Sequence, residues 1–286
     1  MRDMLCAPFM AFAPLLADSA VAGGVPLTVV SAAFAVIAFS GTGAVYITDL
    51  FGERERTPRV SRVGIAISMF LTLLAIVGVI LESGAGALLS ARHVTGVLAL
   101  FIAGGFLVSN ARWPMRGAGA LVTPLCALLM AFFLLEQSRT TVLTPGIDAI
   151  VAVHVGLALV GLGSFALAAA LSMIYLLQER QLRQRSFGRL FHRLPSLNAL
   201  DSAIFHLVTV GFITYSVAIL MGITSALRGQ GMIFDFRTTL AVIAWVVFGA
   251  VIQTRITSGW RGRQAAWMTV AGCAVTFAVL GFYLVS

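Results

Sequence analysis

The sequence predicts an all-α integral membrane protein, an eight-transmembrane-helix bundle with the N-terminus and C-terminus outside. Three observations carry this expectation. Of 286 residues, 59% are hydrophobic and only 10% are charged, where a soluble domain carries about a quarter charged residues. The stretches 19–48, 63–81, 94–111, 117–135, 149–178, 202–227, 238–254 and 264–286 contain no Asp, Glu or Arg. All nineteen basic residues are arginines, and they cluster in alternate connections. A crossing helix needs about 20 mainly apolar residues. Long continuous apolar runs favour helices over the alternating pattern of a barrel.

Each element follows from its boundaries. Residues 1–24 form an N-terminal apolar segment, in which 5–16 precede Ala20-Val21-Ala22, the pattern of a signal-peptide cleavage site. Asp3 offsets Arg2, and two prolines interrupt the run, which weighs against cleavage. Residues 25–286 read as a single transmembrane domain with helices near 27–49, 63–82, 93–110, 117–136, 149–178, 201–227, 238–256 and 264–285. Asp49 and the arginines from Arg54 to Arg62 separate the first two, and Glu82 and His93 bracket the next connection. Arg112 and Arg116 close the third helix, while Glu136 and Asp148 frame the gap before the fifth. That helix is expected to continue into water beyond Glu179, because nothing breaks it before Gly188. Phe187, Leu190, Phe191 and Leu194 then form an apolar stripe between arginines, suited to a membrane surface. The plainer alternative is a basic anchoring loop. Pro195 and Asp201 mark the entry to helix six, Arg228 and Arg237 bound the sixth connection, and Arg255 to Arg263 the seventh. No long internal repeat is visible.

The connections after helices one, three, five and seven hold four, two, five and three arginines; the other side holds five. This bias places the arginine-rich connections in the cytoplasm. The net charge of +8 therefore suits membrane lipid rather than nucleic acid. Cys6, Cys126 and Cys273 are too scattered for a thiol-redox or zinc motif. Buried charge is too sparse for an ion-coupled pump, and no phosphate-binding loop is present. No catalytic constellation points to an enzyme.

What remains is His93, His154, His192 and His206. Neutral imidazole is a good ligand for haem iron. His93 opens helix three and His154 lies about 9 Å into helix five, both near the outer side. His206 lies at the inner side of helix six and His192 in the cytoplasmic connection. One iron cannot be shared by His154 and His206 across a core about 30 Å thick, so the possible pair is His154 with His93. Each ring has a plainer role, hydrogen bonding across the bundle. Arg92, Arg139, Arg228 and Arg237 are the outer cations available to haem propionates.

From helix five onward the chain resembles the cytochrome c assembly protein family, which includes CcsA-type haem-handling proteins and shorter HemX-type relatives. The likeness rests on an ordered series: His154-Val155; Tyr175-Leu176-Leu177-Gln178-Glu179-Arg180; Leu194-Pro195-Ser196-Leu197; and Asp201. It continues through Val210-Gly211-Phe212-Ile213-Thr214, Gly222, Phe234-Asp235-Phe236-Arg237, Trp245 and Gly259-Trp260-Arg261-Gly262 with Ala265-Ala266. Residues 1–148 match only as hydrophobic spans. The family's tryptophan-rich external segment is reduced to Phe234 and Phe236 around Asp235, and its membrane histidine in helix seven corresponds to Gln253. Its second external histidine would fall beyond Ser286. The HemX-type branch is thus the nearer likeness.

The resemblance implies a bacterial plasma (inner) membrane protein that binds non-covalent b-type haem as an accessory in c-type cytochrome assembly or haem homeostasis. His154 would ligate iron with His93 as its possible partner, and the 229–237 loop, with Phe234, Asp235, Phe236 and Arg237, would meet the porphyrin. His206 is a further haem candidate. The implied partners are other cytochrome c assembly proteins or a haem-biosynthesis enzyme. Two alternatives stand beside this: a cofactor-free structural or regulatory subunit, and a small-molecule transporter exploiting the small residues of helix five, Gly161, Gly163 and Ala166.

Overall fold

A computed structural model describes residues 26–51, 58–112, 116–135, 149–184, 195–225, 236–259 and 261–285. Among these, eight α-helices follow one another: α1 (Leu27–Phe51), α2 (Pro58–Ser83), α3 (Ala91–Arg112), α4 (Gly119–Leu135), α5 (Ala149–Arg183), α6 (Leu197–Ser225), α7 (Phe236–Thr257) and α8 (Arg263–Val285). Short 3-10 turns, Ala85–Leu89 and Arg116–Ala118, precede α3 and α4. Five helices, α1, α2, α3, α5 and α6, are long and apolar enough to cross a membrane; Gly119–Leu135 and Ala241–Thr257 are shorter apolar helices. Large aliphatic and aromatic side chains such as Phe70, Leu81, Val108 and Leu220 face outward. That is the arrangement expected when the surrounding solvent is hydrocarbon.

Several small polar side chains inside the helices are satisfied locally. The hydroxyls of Ser68, Thr72, Thr123, Ser172, Thr269 and Thr276 each donate to the carbonyl four residues back. This lets small polar residues sit in the bundle without a partner on another helix.

Successive helices run antiparallel, so α1, α3, α5 and α7 all begin at one end of the bundle, termed here the upper end. The contacts define two quartets with the same packing plan. In the first, α1 packs on α2 and α4, and α3 on the same two; in the second, α5 packs on α6 and α8, and so does α7. The details recur. Near the upper end a polar side chain of the leading helix occupies a glycine notch on the next: Thr28 at Gly78, and His154 at Gly222. Near the lower end a tyrosine of the leading helix covers a glycine at the foot of the fourth: Tyr46 at Gly119, and Tyr175 at Gly262. The quartets meet chiefly where α3 and α5 run side by side, with Phe101 and Ile102 against Gly163 and Leu167 against Gly105. Phe165 is the hub of the second quartet. It stacks on Phe248 at 3.5 Å and 4°, and meets Tyr215 edge-on at 5.8 Å.

Helix boundaries depart from expectation in two places. Helix α2 begins at Pro58, a residue type whose fixed backbone suits a helix start. It therefore absorbs Arg59 and Arg62. Helix α6 begins at Leu197, with the Ser196 hydroxyl accepting from the Ala199 amide at 3.4 Å. Ser196 thus supplies the cap that Asp201 was expected to mark, and Asp201 is left for another role. Helix α5 does continue past residue 178, to Arg183. Residues 1–24 and the stripe of Phe187, Leu190, Phe191 and Leu194 lie outside the described residues.

Candidate functional site

The site begins with the second turn of α5. His154 is half-buried and points at α6, where its Nδ1 lies 2.7 Å from the carbonyl oxygen of Ala218. A carbonyl only accepts, so Nδ1 carries the proton and donates. In the neutral ring this leaves Nε2 as the lone-pair nitrogen. Among the described residues no hydrogen-bond partner meets Nε2. The ring fits because Gly222 has no side chain: a methyl there would sit 3.0 Å from Cε1. An imidazole fixed through one nitrogen to a backbone carbonyl, with the other nitrogen available, is the usual arrangement of a metal-binding histidine.

His93 lies at the same level on the neighbouring α3, as the pairing of Phe101 and Gly163 requires. Its surroundings differ. The residue is 2% exposed, with Nδ1 at 2.6 Å from the Ala87 carbonyl and 2.7 Å from the Ser90 hydroxyl. Its ring meets Phe133 of α4 edge-on at 5.4 Å. So His93 turns into the first quartet and His154 into the second. The described contacts bring neither ring to the other.

His206 is exposed on α6, twelve residues below Ala218 or about 18 Å along the axis. It belongs to the other end of the bundle. Phe234 and Asp235, like His192, Arg139 and Arg228, lie outside the described residues, and the side chains of Arg92, Phe236 and Arg237 do so as well. The connection that carries Phe234 and Asp235 leaves α6 after Ser225 and enters α7 at Phe236. Both attachment points are at the upper end, on the side of His154.

Sequence reasoning missed one centre. At the lower end Arg255 of α7 forms a two-pronged ion pair with Asp201 of α6, at 3.0 and 2.7 Å. The arginine and aspartate side chains are 11% and 18% exposed. The Gly262 amide donates to the same carboxylate at 3.2 Å, and the guanidinium lies over the Phe205 ring, 4.4 Å from its centroid. Tyr175 of α5 abuts Gly262, whose φ of 73° favours glycine. Four helices are tied at this point. Arg255 looks like one more loop arginine in the sequence. The available signal was that it and Asp201 sit at the matching ends of two adjoining apolar stretches. Among the described residues no group of three or more His, Cys, Asp or Glu could hold a metal ion.

These features define a multi-pass, all-helical membrane protein with the His154 imidazole oriented near its upper rim. Residues 30–286 match the family described as "Cytochrome C assembly protein", and the chain belongs to that family. It is 29% identical over 197 residues to the cytochrome c biogenesis protein CcsA of Synechococcus sp. (strain CC9902), covering 59% of this chain and 65% of that one. It is 24% identical over 270 residues to the inner membrane protein YpjD of Escherichia coli (strain K12), covering 90% of this chain and 97% of that one. The chain thus spans somewhat less than two thirds of the CcsA relative's length and nearly all of YpjD's. No solved structure matches it.

Proposed function

We propose that this chain is a haem-binding accessory protein in c-type cytochrome assembly or haem homeostasis. It would cross the membrane eight times, with both termini outside. Membership of the cytochrome c assembly family supports the biological setting, and the single observation that carries the site is the Nδ1 bond from His154 to Ala218. It presents Nε2 as a ligand atom in the family's external histidine position. Bound b-type haem would supply the redox-active iron and a flat apolar face. The protein's part is to hold the imidazole, to exclude water, and to offer Phe234, Phe236 and Arg237 from the connection above for stacking and propionate pairing. His93, held by Ala87 and Ser90, is assigned a structural place in preference to the second axial position. Other assembly proteins or a haem-biosynthesis enzyme are the partners this role implies.

A second reading has its own observation. The bond from His154 to Ala218 also suffices as an ordinary tie between α5 and α6, which suits a cofactor-free subunit. The visible spectrum of protein purified in detergent after haem supplementation decides between them. A Soret band is expected in the native chain, lost in His154→Ala and retained in His93→Ala and His206→Ala. Native protein without a Soret band refutes the haem reading.

A further inference from the structure

We infer that Ala218 and Gly222, one helical turn apart on α6, are positioning residues that set both the tautomer and the tilt of His154. The inference rests on the haem reading for its purpose and on geometry alone for its content. The Ala218 carbonyl at 2.7 Å imposes the proton on Nδ1. The Gly222 notch decides whether the ring can come close enough to make that bond. An added Cβ there would stand 3.0 Å from Cε1, 3.6 Å from Nδ1 and 3.8 Å from Nε2. The first distance is tighter than ordinary contact, so the ring must give by a few tenths of an ångström, and movement away from α6 lengthens the Nδ1 bond. Glycine is a costly residue in the middle of a helix. Here the space it leaves is filled by the imidazole edge. Withdrawal would also loosen the grip on the proton, letting the ring adopt the other neutral tautomer, in which Nε2 carries hydrogen and cannot bind a metal.

The test separates this from haem binding itself. Protein labelled with ¹⁵N-histidine is observed by NMR at about pH 8.5, above the ordinary imidazole range, with the His154 signals identified by their absence in His154→Gln. The native chain should show protonated Nδ1 and unprotonated Nε2. Gly222→Ala should shift His154 toward a mixture of tautomers, and Gly222→Val further. Gly156→Ala, whose methyl meets nothing within 4 Å, should leave the signals unchanged. Titration of haem b into the same samples should show affinity reduced by about 10-fold or more in Gly222→Ala and unaltered in Gly156→Ala. A native His154 protonated on Nε2, or a Gly222→Ala variant with native tautomer and native affinity, overturns the inference. Should the native chain bind no haem, the functional reading falls, and the tautomer comparison still decides the positioning role.

Discussion

The two quartets share a packing plan and differ in what the plan holds. At the upper notch, the first quartet places Thr28, whose buried Oγ has no hydrogen-bond partner among the described residues, against Gly78; the second places His154 against Gly222. At the lower foot, Tyr46 covers Gly119 and Tyr175 covers Gly262. Beside the second of these lies an ion pair between helices, Asp201 with Arg255. The same scaffold position thus holds a hydroxyl in one half and an imidazole in the other. What the difference teaches is that the backbone geometry did not have to be invented for the histidine. The notch is a general device of this bundle, and chemistry enters through the residue placed in it.

The largest effect that would break this comparison lies at the ion pair. Arg255→Met leaves Asp201 with a mostly buried, unpaired carboxylate, and removal of one member of such a pair costs about 3 kcal/mol or more. Thermal unfolding in detergent should register a clear loss. The double variant Asp201→Leu/Arg255→Met should recover much of it, because no charge remains stranded. If the single and double variants unfold alike, the pair is not what ties the lower end of the second quartet.

Next come the two feet, which sharpen the parallel. Gly119→Ala would set a Cβ 2.5 Å from the Tyr46 ring, and Gly262→Ala one 2.6 Å from the Tyr175 hydroxyl. Overpacking of this kind costs about 1–3 kcal/mol. Tyr46→Leu should relieve most of the first loss. Tyr175→Leu should relieve only part of the second, because Gly262 also has a backbone conformation that side chains disfavour. Equal rescue at both feet would show that contact, and not conformation, dominates at Gly262.

The smallest effect is expected at the first notch. Thr28→Val exchanges an unpartnered buried hydroxyl for a methyl of similar size, so stability should change by less than about 1 kcal/mol. A large loss would mean that the Thr28 hydroxyl has a role that its present contacts do not reveal.

The helices and their order were legible in the sequence because charge is excluded from hydrocarbon, and Asp, Glu and Arg therefore delimit the spans. Their ends were less legible. The cap of α6 is Ser196, and only coordinates show that Asp201 is spent on Arg255 instead. His154 was singled out by position and by resemblance, whereas its fixed tautomer depends on a backbone carbonyl 64 residues away, which no side-chain pattern encodes. His93 was placed by counting on the same side as His154, and its ring meets Phe133 of α4. Depth along a helix follows from counting residues, but azimuth depends on which neighbour packs where, and here Phe133 claims that face. The repeated plan was invisible for a similar reason. It resides in which helix touches which, and Thr28 and His154 have no identity in common.

Helix α5 spans 35 residues from Ala149 to Arg183, about 52 Å of axis, well over the hydrocarbon thickness of about 30 Å. No proline interrupts it. One end therefore carries the imidazole, and the other reaches past the lipid with Glu179 and Arg183 joined by a 2.8 Å bridge. A single stiff lever runs from one end of the bundle to the other. Whatever leans on its Arg183 tip also tips the His154 ring, with no relay of separate parts in between.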